Sequence, residues 1–378
     1  MPKFIAQLGN TPALSMAELQ AVYPDLKIDY LQNDTAWWEA DNFDADQAMN
    51  RLGGTVKILE VVKEFDEANP ENLNQELLRI LSQQEGKVKF AIGEIGRDHL
   101  PVLDESTIKE SLKSLGISSR FIESPRSGLS ASVLLHQKVT ELVVIQAFET
   151  TVVGKSLAVQ NIDDWTVRDR QKPYADRKKG MLPPKVARMM VNLAIGQTEA
   201  TEAVKILDPF CGSGTILMEA GVLGFNVIGS DLDPESATGS QNNLEWLRSE
   251  YNLDFKSQVF QKDATRLQLA TKITHLVTEP FLGKPAPKSE QLPNIFRGLS
   301  KLYLGAFKQW TTLLADDASL VVVFPESEDP ITKKRFSLEG LFDKLSILGY
   351  TEVSDALIYH RPNATIERAI HQFKFRRK

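Results

Sequence analysis

One cysteine in 378 residues, Cys211, has no partner for an internal disulfide, which suits a reducing cytoplasm. Histidine is scarce as well: five, scattered, which with a single cysteine cannot supply a zinc site of the usual spacing, so no metal is expected. No apolar run approaches the roughly 18 residues a membrane span needs. The opening MPKFIAQLGN lacks the basic, then apolar, then small order of a secretory signal. Tandem repeats and low-complexity segments are missing too. These absences point to a cytoplasmic protein with no membrane partner; the sequence does not fix oligomeric state, and a monomer is the working expectation.

What is present fits two or three domains with ordinary cores: 42% of residues are apolar and 25% charged. The net charge of −6 conceals an asymmetry. Residues 1–160 carry 15 Lys/Arg against 23 Asp/Glu, whereas 161–378 carry 29 against 27. The positive charge is clustered in RDRQKPYADRKKGMLPPKVAR (168–188), with eight basic residues and two acidic, and again from Arg361 to Lys378. Local clusters govern phosphate binding more than totals do, although most charge runs are simply solvated faces.

Periodicity divides the chain into three blocks. Residues 1–65 start with the strand candidate FIAQLG, followed by a helix in which Ser15 and Glu18 have capping-box spacing. The turn-like Gly53-Gly54 and the strand TVKILEVV complete a β-α-β order of ferredoxin-like type. Residues 66–164 hold helix candidates at ENLNQELLRILSQQ and STIKESLKSLG and strands at KVKFAIGEIG and ELVVIQAF. From 165 to 378 single helices alternate with strands, which predicts an α/β domain with a parallel sheet covered on both faces. The terminal TEVSDALIYH and TIERAIHQFKF read as a hairpin inserted antiparallel into that sheet.

The chemistry starts at ILDPFCGSGT. Asp208 closes a strand and Thr215 opens a helix. Between them Pro209, Cys211, Gly212 and Gly214 form a tight loop, and the glycines let a ligand approach the backbone. In open α/β sheets ligands bind outside the carboxyl ends of the strands, where this loop lies. Asp231 ends the next strand and can accept from two ribose hydroxyls. Asp263, followed by Ala264, ends the third and can face an adenine amine. Three acids at successive strand ends outline a nucleoside site. A dinucleotide fold is disfavoured because G-x-G-x-x-G is absent, and a P-loop because no lysine follows the loop.

The D-P-x-C-G-x-G-T string resembles the cofactor loop of RNA N-methyltransferases, which implies S-adenosylmethionine (SAM) as cofactor. Enzymes that methylate exocyclic amines carry Asp/Asn-Pro-Pro-Tyr/Phe at the fourth strand end, where this chain has Glu279, Pro280 and Phe281. Glu279 can accept the amine hydrogens and Phe281 can stack on a flipped base. C5-pyrimidine methylation is disfavoured, since it needs a nucleophilic cysteine and Cys211 lies in the cofactor loop, where it reads as a small apolar wall.

The segment R-D-x-x-x-P…G-M-L-P-P-K-x-A, here Arg168 to Ala187, resembles the block of archaeal and eukaryotic THUMP-containing tRNA (guanine-N2)-methyltransferases acting at position ten. The likeness covers Arg168, Asp169, Pro173 and Gly180 to Lys185, then Asp208 to Thr215 and Asp231. More loosely it covers LGNTPALSMAELQA, GKSLAVQNIDDW and a terminal Y-x-R…R-x-I that includes Arg361 and Arg368. It implies a ferredoxin-like domain (1–65), a THUMP-like domain (66–164) and a class I SAM-dependent methyltransferase domain (165–378). It also implies that Met181 and Pro184 help close the cofactor site, and that tRNA is the substrate. Arg168, Arg170, Lys172, Arg177, Lys178 and Lys179 become the expected backbone contacts. Two alternatives stay open: an amine methyltransferase acting on another RNA or DNA, and an RNA-binding protein that holds SAM without turnover because its fourth-strand motif is altered.

Overall fold

A computed structural model describes residues 1–31, 34–96, 105–125, 127–147, 150–176, 181–284, 287–329, 331–360 and 364–378. It divides into two compact units, one holding Met1–Gln20 with Pro24–Asp164, the other Ala21–Tyr23 with Trp165–Lys378.

The first unit runs β1 (Lys3–Leu8), α1 (Pro12–Val22), β2 (Asp29–Leu31), β3 (Thr35–Glu39), α2 (Ala45–Arg51) and β4 (Thr55–Phe65). It continues with α3 (Pro70–Ser82), β5 (Val88–Ile95), α4 (Glu105–Ser114), β6 (Ser119–Phe121), α5 (Ala131–Gln137), β7 (Thr140–Ala147) and β8 (Thr150–Val159). The strands form one sheet in the order β2-β3-β1-β4-β8-β7-β5-β6, so the blocks on either side of residue 65 share a sheet joined along β4 and β8. Helix α3 starts at an Asn69–Asn72 capping box and buries Leu73, Leu77, Ile80 and Leu81 against Phe90 and Leu142, the pattern its 3.6-residue period predicts.

Two polar networks in this unit have no local sequence signature. Helix α1 begins at Pro12, not Ser15, and Glu18 is fully buried, accepting the backbone N–H groups of Gly53 and Gly54 at 2.8 Å each. The Ser15–Glu18 spacing therefore imitates a capping box, while the carboxylate holds a turn 35 residues away. Lys57 on β4 pairs with Glu141 on β7 at 2.6 Å, with side chains 1% and 0% exposed. Burial pushes the Lys57 ammonium down from its ordinary range, opposed by the Glu141 carboxylate. That carboxylate also accepts from Leu129 N and Ser156 Oγ.

The second unit follows α6 (Ile162–Arg170), which crosses the boundary, with α7 (Pro184–Ile195), β9 (Lys205–Asp208), α8 (Thr215–Val222), β10 (Asn226–Asp231), α9 (Pro234–Tyr251), β11 (Ser257–Gln261) and β12 (Ile273–Thr278). Then come α10 (Leu292–Trp310), β13 (Leu314–Glu328), β14 (Arg335–Phe336), α11 (Phe342–Ile347), β15 (Tyr350–Glu352), β16 (Leu357–Tyr359) and β17 (Glu367–Phe375). The sheet order is β11-β10-β9-β12-β13-β17-β15. Strands β9 to β13 are parallel and β17 is antiparallel between β13 and β15, as the hairpin pattern predicts. Phe296, Leu299, Tyr303, Phe307 and Trp310 recur along one face of α10 and bury it on Leu276, Leu320, Val322 and Phe373. The chain leaves β9 towards β10 on one side and returns to β12 on the other. A crevice therefore opens at the carboxyl ends of β9 and β12. Among the described residues no helix is long and apolar enough to cross a membrane.

Candidate active site

The loop between β9 and α8 is held by backbone hydrogen bonds, to β10 and within itself. Cys211 N donates to Ser230 O at 2.9 Å and Gly214 N to Cys211 O at 2.7 Å. Gly212 has φ +52° and Gly214 φ +79°, a left-handed region that penalises any Cβ. The two glycines serve different ends. A Cβ on Gly214 would lie 2.4 Å from Ser240 Oγ, so its absence lets α9 close on the loop. A Cβ on Gly212 would meet nothing within 4 Å, so its face borders an open cradle.

Asp231, at the end of β10, accepts Gly212 N on Oδ2 and Asp233 N on Oδ1, both at 2.9 Å. Each carboxylate oxygen has a second lone pair, so the side chain is oriented by the loop and can still receive hydroxyls. Leu232 beside it is 70% exposed, an apolar face for a flat ring that the sequence reading overlooked. Its only signal is an apolar residue directly after a strand-end acid. Asp263 lies two residues past β11, where its Oδ1 accepts Thr265 N and Oγ1 at 2.8 Å, and Ala264 is buried. Burial raises the Cys211 thiol well above its usual range, in keeping with a wall residue.

Asp208 is 2% exposed, and burial pushes its carboxyl up to about 7. Hydrogen bonds from Thr278 Oγ1 at 2.6 Å and Phe210 N at 3.1 Å oppose that rise, while the charges of Asp231 and Glu279 add to it. The Thr278 bond ties the end of β12 to the end of β9. Counted back from Pro280-Phe281, Thr278 stands where the amine-methylating pattern has Asp or Asn, and Glu279 where it has the first Pro. The hydroxyl at 278 serves Asp208, leaving Glu279 to supply the carboxylate.

Glu279 Oε1 accepts Arg368 Nε at 2.5 Å, with side chains 15% and 10% exposed. Arg368 belongs to β17, opposite Pro325 of β13, and its guanidinium lies 5.9 Å from the centre of the Tyr359 ring. Pro280 is buried and Phe281 is 59% exposed, so the ring is available to stack. Arg368 is absent from the expected site residues; nothing local marks a partner 89 residues from Glu279.

The basic block requires a correction. Arg168 and Lys172 do not offer their charges to a phosphate backbone: they are 2% and 5% exposed. Arg168 Nε donates to Glu219 Oε1 at 2.8 Å, and Arg188 joins the same carboxylate at 2.8 Å. The Arg168 guanidinium sits 4.3 Å from the centre of the Trp165 ring. Lys172 Nζ donates to Thr215 Oγ1 at 3.0 Å, and burial pushes its ammonium down. Asn243 Nδ2 donates to both Tyr174 O and Ser213 O at 2.8 Å, so residues 172–174 are bound to the cofactor-loop region. Arg170 is exposed, Met181 half-buried, and Pro184 buried at the start of α7. Arg177, Lys178, Lys179 and Gly180 lie outside the described residues, as does Arg361.

Residues 173–336 match the family model UPF0020, an RMKL-like methyltransferase domain. The tRNA (guanine(10)-N2)-dimethyltransferase of Methanothermobacter thermautotrophicus is 41% identical over 118 residues, 30% of this chain and 32% of that one. The enzyme of the same name from Methanocaldococcus jannaschii is 32% identical over 170 residues, 43% of this chain and 42% of that one. The chain thus matches less than half the length of either curated relative. Among solved structures, TrmN from Thermus thermophilus superposes with a TM-score of 0.59 at 16% identity, covering 99% of this chain and 100% of that one. That likeness is one of fold. The second unit thus carries a methyltransferase domain of class I architecture.

Proposed function

We propose that this chain is a SAM-dependent tRNA methyltransferase that acts on the exocyclic N2 amine of a guanine. The observation that carries the reading is the juxtaposition, at neighbouring strand ends, of the Gly212 cradle with Asp231 and of Glu279-Pro280-Phe281. The curated relatives are named for that amine at position ten and for dimethylation, which supplies the substrate class.

The residues present suit the cofactor. The cradle beside Gly212 accommodates a group in contact with backbone, Asp231 can accept ribose hydroxyls, and Leu232 offers an apolar face to the base. The charges of Asp231 and Glu279 both bear on Asp208, a concentration of acids that favours a ligand with a positive centre. When bound, SAM supplies an electrophilic methyl on a sulfonium. The protein's task is then mainly positioning. Phe281 stacks on the flipped base and Glu279 accepts an N2 hydrogen, turning the nitrogen lone pair towards the methyl. Once the nitrogen had taken that methyl, the surplus N2 proton would pass to the Glu279 carboxylate. We assign residues 66–164 to a THUMP-like tRNA-binding role and the enzyme to the cytoplasm, where its lone buried cysteine stays reduced.

The test is transfer of label from methyl-tritiated SAM into unmodified tRNA, with N2-methylguanosine identified in nucleoside digests. Glu279→Ala should lower the rate about 10²-fold or more, typical of losing a positioned proton acceptor, with SAM binding retained. Normal SAM and tRNA binding by the wild type without transfer would leave a binding protein and refute the enzyme.

A further inference from the structure

The Glu279–Arg368 pair has no counterpart in the amine-methylating pattern, and its chemistry bears on which base the site accepts. We infer that this pair makes the site a guanine reader, in which Glu279 receives both N1–H and N2–H of the base as it binds, while Arg368 keeps the carboxylate charged until the methyl has transferred.

The inference rests on the reading that Glu279 faces the substrate amine. A carboxylate has four acceptor sites on two oxygens, so the guanidinium N–H on Oε1 does not exhaust its capacity to accept N–H groups. Guanine alone among the common bases presents two adjacent donors beside its exocyclic amine. Adenine and cytosine place a ring-nitrogen lone pair there, which would face an oxygen lone pair. A neutral carboxyl, with one donor and one acceptor, would fit those bases instead. Arg368, fixed on β17 between β13 and β16, opposes that form because its guanidinium stabilises the charged carboxylate. Arg368 is on this account a positioning residue; Glu279 touches the base.

Base analogues isolate the N1–H contact. 2-Aminopurine keeps the N2 amine but has a lone pair at N1. The experiment uses the full-length protein, labelled SAM and tRNA ligated from two pieces, with guanosine or 2-aminopurine riboside at position ten. The wild type should prefer guanosine by roughly 10⁴-fold in kcat/KM, the order seen when a site built to hydrogen-bond a substrate N–H meets an analogue lacking it. Glu279→Gln presents one acceptor and one donor, matches 2-aminopurine, and should abolish or invert the preference. Arg368→Lys should retain the preference, whereas Arg368→Met should erode it. Equal rates on the two RNAs with the wild type, which needs no variant to fold, or an unchanged preference in Glu279→Gln, overturn the inference and leave the methyltransferase reading intact. Transfer to neither RNA nor to any tRNA overturns that reading and this one with it.

Discussion

Replacing Asp208 by Asn tests whether the buried carboxylate under the cofactor loop is as displaced as its surroundings require. The amide keeps an acceptor oxygen for Thr278 Oγ1 and Phe210 N, so shape and hydrogen bonds change little. What is lost is the titration. Burial raises the folded-state carboxyl from 3.8 to about 7. The native state therefore holds this proton more tightly than the unfolded chain does. Its stabilising contribution is full below the unfolded value near 4 and is lost as pH rises through 7. Some three pH units at 1.36 kcal/mol each give a change of about 4 kcal/mol between those limits. The stability of wild type minus Asp208→Asn should accordingly fall by about 1 kcal/mol per pH unit from 5 to 7 and level off above 8. Urea denaturation followed by tryptophan fluorescence at half-unit pH steps reads that difference directly. A difference that stays flat from pH 5 to 8 would refute the buried, desolvated description of Asp208.

Two further substitutions separate the roles of neighbouring features. Gly212→Ala should cost only the left-handed backbone penalty of about 1–2 kcal/mol yet weaken SAM binding in calorimetry at least tenfold, because its methyl enters the open cradle. Gly214→Ala should cost about 1–3 kcal/mol more through its contact with Ser240; equal melting points for the two variants would contradict this division. Glu219→Gln leaves Arg168 and Arg188 buried around a neutral group. It should destabilise by about 3–5 kcal/mol, lowering the thermal midpoint by roughly 6–20 °C; a shift under 2 °C would show that the pairs contribute little.

What the sequence made legible was local. A strand-loop-helix with two glycines, acids at strand ends 23 residues apart and an apolar period of 3.6 in α10 each leave their pattern within one window. So Asp208, Gly212, Gly214, Thr215 and Asp231 stand where the reading put them, at or beside a strand end. Contacts between distant residues leave no such pattern. Glu18 at i+3 from Ser15 resembles a cap, but its partners are Gly53 and Gly54. Nothing within TVKILEVV marks the partner of Lys57, which only the placing of β7 supplies as Glu141. Arg368 gave only a loose terminal likeness, and its link to Glu279 depends on β17 being inserted beside β13. Asp263 differs more mildly: it follows β11 by a turn's start and is held by Thr265, so strand-end spacing located it to within two residues.

The basic block shows why a likeness in sequence does not tell an exposed cation from a buried one. Thr215 and Glu219 are four apart on α8 and so share a face. Lys172 grips the first and Arg168 the second. The two cations thus fasten the segment ahead of the domain to the helix whose first residue ends the cofactor loop. A buried guanidinium held by a carboxylate and stacked on Trp165 is desolvated and committed, so it adds little to the field that phosphates feel. Their work is to fix the direction of α8, and with it the loop whose Gly212 borders the cradle. Among the described residues of 168–176, the one cation left exposed is Arg170, at the end of α6.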